Sequence, residues 1–196
     1  MEIKDSKLPN KLSFTRIILT IVILIFLLVP MGKLGDEIAI YKNVFIRLDY
    51  VIAGILFIVA SITDYFDGKI ARKYNYITDL GKMLDAIADK VLVNTVLIAF
   101  VSVNMLPAFV AIIIVFRDII VDALKMQAGN KGHVVAAIKT GKIKTFSMMT
   151  GLTLKFFSNL PFALWNLEVA DVLIYFAVVM SIISCFEYIN NCKEYF

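Results

Sequence analysis

The sequence predicts an all-α integral membrane protein with six transmembrane helices, and three observations predict it. The 196-residue chain is 60% hydrophobic with a mean hydropathy of +0.84, so nothing in it reads as a soluble core with an appended tail. Its apolar residues gather into segments that approach or reach the ~20 residues needed to cross a bilayer as a helix. Lysine and arginine fall overwhelmingly on one side once those segments are threaded back and forth, the asymmetry of a cytoplasmic face.

The division that satisfies all three is 14–31, 44–67, 82–105, 107–127, 140–158 and 171–190. The first apolar run, Ile17 to Val29, follows a basic N-terminus but is closed by Pro30, Met31 and Gly32 rather than a small-residue cleavage site. It is therefore expected to be a retained helix. Residues 1–12 are expected to lie on the membrane surface. Val91 to Phe116 carries no charge and could form one long span. Asn104 to Pro107 offers a turn, since proline interrupts a helix and biases the residue before it. Charge favours the split. With six helices and both termini inside, only Lys33, Lys42, Arg47 and Lys155 lie toward the outer side; a merged span would send Lys139, Lys142 and Lys144 out as well.

Two of the segments are too short to cross on apolar residues alone. The second is uncharged only from Tyr50 to Thr63 and the fifth only from Thr145 to Leu154. Their cytoplasmic halves carry Asp, Lys and Arg, which cannot all face lipid, so a polar, water-filled cavity open to the cytoplasm and lined by helices two to five is expected. The whole chain, 1–196, reads as a single domain without repeats or linkers. Cys185 and Cys192 do not make a disulfide framework, and packing is their simplest role. The net charge of +4 is assigned to topology and to anionic substrates, with no nucleic-acid partner expected.

Between the second and third helices the chain reads DYFDGKIARKYNYITDLGKMLDAIAD, from Asp64 to Asp89. Asp64 and Asp67 are three residues apart and Asp85 and Asp89 four, spacings that put each pair on one helical face. Ionised groups at membrane depth must be paired, hydrated or metal-bound. Paired carboxylates are hard oxygen donors of the kind Mg2+ takes, with phosphate oxygens and water completing its shell. Gly68 and Gly81 would let a ligand approach the backbone closely, and Arg72 offers a planar fork to a phosphate. Spacing alone leaves other readings open: a solvated acidic turn paired with Lys69, Arg72 and Lys82, or metal binding in a transporter.

The full pattern, Asp64-x2-Asp67-Gly68-x2-Ala71-Arg72-x8-Gly81-x3-Asp85-x3-Asp89, resembles the signature of the CDP-alcohol phosphotransferases at every specified position. The resemblance implies a six-helix membrane fold, usually homodimeric, with its active site open to the cytoplasm. It implies that Asp64, Asp67 and Asp85 ligate divalent cations, Mg2+ or Mn2+ and two in number, that bridge the CDP diphosphate. Asp89 would be metal ligand and general base. Gly68, Ala71, Arg72 and Gly81, with Asp64 and Asp67, would shape the nucleotide site. The signature holds no Ser, Cys or His nucleophile, which favours direct attack of an alcohol on the β-phosphorus.

Family members differ in the alcohol they accept. Arg117, Lys139, Lys142 and Lys144 flank the cytoplasmic ends of helices four and five, and fixed positive charge there favours an anionic acceptor over serine or choline. The plainer reading is that they enforce topology or touch anionic headgroups, and that Arg117 merely pairs with Asp118 or Asp122. The run Leu8 to Arg16, the Arg117-Asp118 pair and Gly141-Lys142-Ile143-Lys144-Thr145 resemble the bacterial phosphatidylglycerophosphate synthase branch, with Ser13 where threonine and Asp118 where glutamate are more usual. That resemblance implies CDP-diacylglycerol as donor, glycerol 3-phosphate as acceptor, membrane lipids as surroundings and a bacterial inner membrane as location. An intramembrane prenyltransferase is the enzymatic rival, but the acidic pairs occur only once. A transporter is the other rival, but the acids crowd one rim instead of following a path. Glu187 and Tyr188 at the end of helix six are expected to serve packing or dimer contacts.

Overall fold

The computed structural model describes the backbone of residues 8–30, 32–41, 44–73, 79–133 and 135–193, and the side chains of those residues except 8–12, 40–41, 44, 64–73 and 79–82. Among the described residues there are six α-helices: α1 (Leu8–Leu28), α2 (Leu48–Lys73), α3 (Asp79–Ser102), α4 (Ala108–Asn130), α5 (Lys139–Phe156) and α6 (Val169–Cys192). A two-stranded antiparallel hairpin, β1 (Glu37–Tyr41) and β2 (Val44–Arg47), precedes α2. One helix among the described residues, α6, is long and apolar enough to cross a membrane by that measure alone; Ser13–Leu28 and Leu48–Thr63 are shorter apolar helices.

The chain folds into two compact units, Met1–Val103 and Asn104–Phe196. In the first, α1 packs against both α2 and α3, burying Ile23 and Leu27 with Ala53 and Phe57 of α2 and Leu92, Val96 and Phe100 of α3. In the second, α6 packs against α5 and α4, with Ile114, Met148, Leu152, Phe156 and Ile174 fully buried. The division falls at the turn expected from Asn104 to Pro107. Asn104 takes φ 58°, a left-handed conformation that asparagine tolerates, and Pro107 opens α4 in extended conformation.

Two boundaries differ from expectation for identifiable reasons. Residues 44–47 pair with 37–41 instead of starting the second helix, because Val44, Phe45 and Ile46 suit a strand as well as they suit a helix. Asp49 then stands in the first turn of α2. Its carboxylate, fully buried, accepts from the Tyr50 backbone N–H at 2.8 Å and from Arg47 at 2.7 and 3.2 Å. That hydrogen bond raises the Arg47 pKa above its ordinary value. At the N-terminus, α1 begins at Leu8, so residues 8–12 of the expected interfacial segment are its first turns. Residues 1–7 lie outside the described residues.

Polar groups fasten α5 to α6 at the end opposite the expected site. Lys155 Nζ reaches both Asp171 oxygens at 2.5 and 2.7 Å. Asn159 accepts from the Ala170 N–H at 3.0 Å and donates to the Leu167 carbonyl, satisfying a donor that the first turn of α6 would otherwise leave unpaired. Between these helices Gly151 permits close approach: a Cβ there would sit 2.7 Å from Ile174 Cγ1 and 3.1 Å from the Ala170 carbonyl oxygen. Gly151→Ala is therefore expected to cost about 1–3 kcal/mol through overpacking, read as a lowered thermal midpoint in detergent. Cys185 and Cys192 are both free thiols, as expected from their number.

Candidate active site

The signature residues fall on two helices of the first unit. Asp64, Asp67, Gly68, Ala71 and Arg72 belong to the last three turns of α2, and Gly81, Asp85 and Asp89 to the first three turns of α3. Both stretches are helical, as the i, i+3 and i, i+4 spacings require for each acidic pair to share a face. The side chains of Asp64, Asp67, Ala71 and Arg72, together with Gly68 and Gly81, lie outside the described residues. Asp85 and Asp89 are half-buried, one turn apart. Among the described residues, which leave out the side chains of Asp64 and Asp67, no group of three or more metal-ligating side chains gathers. The donor chemistry nonetheless suits a hard divalent cation: two carboxylates on one face of α3, partly open to solvent.

A residue that motif reading did not place now joins this face. Arg16, from α1, is 1% exposed and directs Nη1 to Asp85 Oδ1 at 3.3 Å. The packing of α1 on α3 makes the contact, and Thr20 donates to the Arg16 carbonyl one turn on at 2.9 Å. The carboxylate is 48% exposed, so only the guanidinium half of the pair is withdrawn from water. A signal was available: an arginine directly before an apolar run of membrane-helix character needs a buried anion or a route to the surface.

In the second unit the four predicted acceptor cations separate into two kinds. Lys144 of α5 is 5% exposed and donates to both oxygens of the buried Asp118 carboxylate on α4, at 3.0 and 3.2 Å. Arg117 donates through Nη1 to the same Asp118 Oδ1 at 2.9 Å and through Nη2 to Ser184 Oγ of α6 at 2.6 Å. Two cations thus share one carboxylate, Lys144 buried and Arg117 partly so. Lys139 and Lys142, in the first turn of α5, are exposed. The expected pairing of Arg117 with Asp118 is present, and it coexists with the cationic cluster instead of replacing it.

The end of α6 takes part in this arrangement. The Tyr188 hydroxyl accepts from the Ile138 N–H at 3.3 Å, and its ring lies 5.6 Å from Arg117 Cζ and 4.8 Å from Lys125 Nζ. Thr140 donates to Glu187 Oε2 at 2.6 Å. A Cβ on Gly141 would meet Arg117 Nη2 at 3.6 Å and the Tyr188 ring at 3.9 Å, ordinary contact distances that place this turn of α5 against both groups.

Helices ending in aspartate pairs, with a buried cationic cluster elsewhere in the same chain, are the equipment of an enzyme that handles phosphates. The family model for CDP-alcohol phosphatidyltransferase matches residues 6–183, and the chain belongs to that family. The family is membrane-associated and generally uses divalent metal ions. Among curated relatives, a Bacillus subtilis protein named CDP-diacylglycerol–glycerol-3-phosphate 3-phosphatidyltransferase is 38% identical over 191 residues, 95% of each chain. A Rickettsia felis protein of the same name is 32% identical over 193 residues, 98% of each chain. One from Mycoplasma pneumoniae is 35% identical over 158 residues, 78% of this chain and 69% of its own.

Proposed function

We propose that this enzyme transfers the phosphatidyl group of CDP-diacylglycerol to sn-glycerol 3-phosphate, releasing CMP and forming phosphatidylglycerophosphate. The observation that carries the reading is the near-full-length likeness to relatives named for that donor and that acceptor. Arg117 and the buried Lys144, brought together on Asp118, add two fixed cations that suit an anionic acceptor. The proposed setting is one domain, 1–196, of six membrane-spanning helices in a bacterial inner membrane, homodimeric, with both termini and a polar active-site cavity facing the cytoplasm. Residues 1–12 would hold the membrane surface.

Asp64, Asp67, Asp85 and Asp89 would hold two divalent cations, Mg2+ or Mn2+, whose chemistry is to neutralise the diphosphate and the departing CMP. Gly68, Ala71, Arg72 and Gly81 would form the nucleotide site with Asp64 and Asp67. The acyl chains stay in lipid. Arg117 and Lys144, joined by Lys139 and Lys142 at the surface, take the acceptor phosphate. The primary hydroxyl of glycerol 3-phosphate gives its proton toward Asp89 and its oxygen bonds to the β-phosphorus. The bond from that phosphorus to the CMP oxygen breaks, and CMP leaves with the electron pair. Arg16 would orient the Asp85 carboxylate through its hydrogen bond at 3.3 Å.

Purified protein given CDP-diacylglycerol with labelled glycerol 3-phosphate, serine and inositol 1-phosphate in turn tests this. Label should enter lipid from glycerol 3-phosphate, with matching CMP release. Incorporation from serine alone would discard the acceptor assignment.

A further inference from the structure

We infer that α6 is a positioning element for the acceptor site, with Ser184 and Tyr188 holding Arg117 and the start of α5 where the acceptor phosphate must find them; the inference rests on the function proposed above. Sequence reading gives Glu187 and Tyr188 at this end of α6 to packing or dimer contacts. The structure puts its polar groups on the cationic cluster instead. The Ser184 hydroxyl donates to the Ser181 carbonyl at 2.9 Å, which turns its oxygen toward Arg117 Nη2 as an acceptor at 2.6 Å. The guanidinium is thereby gripped at both terminal nitrogens, by Asp118 and by Ser184, with the Tyr188 ring at its side. Arg117 Nε is buried and has no hydrogen-bond partner among the described residues, so donor capacity remains for an anion.

Tyr188 also acts on the lysine side of the site. It is 3% exposed, and its hydroxyl takes the N–H of Ile138, the residue that caps α5. Glu187 takes the hydroxyl of Thr140, two residues further on. The first turns of α5, which carry Lys139, Lys142 and Lys144, are therefore registered against α6 by two hydrogen bonds. An apolar contact would bury as much surface without fixing rotation. Directional bonds from Ser184, Glu187 and Tyr188, at i, i+3 and i+4 on one face of α6, set where the guanidinium and the ammonium stand relative to each other, which a phosphate with fixed oxygen spacing reads.

The test compares Ser184→Ala, Tyr188→Phe and Tyr188→Leu in the full-length protein, with thermal midpoints measured alongside KM for each substrate and kcat. Ser184→Ala is expected to raise KM for glycerol 3-phosphate about five- to tenfold, less than the loss of a direct hydrogen bond to a charged group because the effect reaches the phosphate through Arg117. KM for CDP-diacylglycerol should stay within about twofold. Tyr188→Leu should raise the acceptor KM more than Ser184→Ala does. Tyr188→Phe, which keeps the ring and loses the bond to Ile138, should fall between the parent and Tyr188→Leu. Unchanged acceptor KM in Ser184→Ala and Tyr188→Leu, or equal rises for both substrates, would overturn the positioning role while leaving the reaction intact. A parent protein that ignores glycerol 3-phosphate would overturn both together.

Discussion

Asp89→Asn is expected to lower kcat for CMP release by about 10²–10⁴-fold, the range typical of removing a general base. Asp85→Asn should fall into the same range through lost cation binding. The two substitutions are nearly isosteric. Asparagine at 85 still offers a side-chain oxygen to Arg16 Nη1, which Asp85 accepts from at 3.3 Å, so the α1–α3 contact should survive. Mn2+ binding without substrates, followed by the loss of the free-ion electron paramagnetic resonance signal, separates a missing ligand from a misfolded protein. Either variant turning over as fast as the parent, with Mn2+ binding intact, would remove these residues from the mechanism.

Lys144→Ala should raise the KM for glycerol 3-phosphate by about 10–100-fold, the equivalent of one charge-assisted hydrogen bond to phosphate. Lys142→Ala should change it about threefold or less. The difference follows from burial. Lys142 is exposed and its charge is screened by water and salt, whereas Lys144 is buried beside Asp118. Truncating Lys144 also takes one of its two cations from the Asp118 carboxylate, 7% exposed and still bonded to Arg117. Breaking a buried pair costs up to about 3–5 kcal/mol, so the variant should melt lower as well. The Lys144→Met, Asp118→Asn double variant removes both charges and should recover much of that stability while the acceptor KM stays high. Equal effects of Lys142→Ala and Lys144→Ala on KM would contradict the assignment of the buried pair as the main anchor.

Most of the helical architecture was legible from hydropathy and charge. The expected segments 107–127, 140–158 and 171–190 correspond to α4, α5 and α6 with ends displaced by a few residues, because apolar runs and Pro107 mark helix limits locally. The hairpin before α2 was not legible. Val44 to Ile46 is a short apolar run, and strand pairing with Glu37–Tyr41 is a contact between segments that no local pattern reports. The candidate site divides in the same way. The acidic face of α3 follows from a four-residue spacing, but the partner of Asp85 comes from α1, sixty-nine residues away in the chain.

What the sequence determined by itself is therefore what depends on near neighbours: a helical, lipid-adapted chain, carboxylates paired by helical periodicity, and a signature shared with a family of phosphatidyl-transferring enzymes. Tertiary structure decided which charges are withdrawn from water and whom they meet. It buried Arg16 and Lys144, left Lys139 and Lys142 at the surface, and brought Ser184 and Tyr188 of α6 onto Arg117. The physical reason is that desolvation is set by the packing of helices remote in sequence, and a lysine's composition and spacing are the same whether its ammonium ends in solvent or against a buried aspartate.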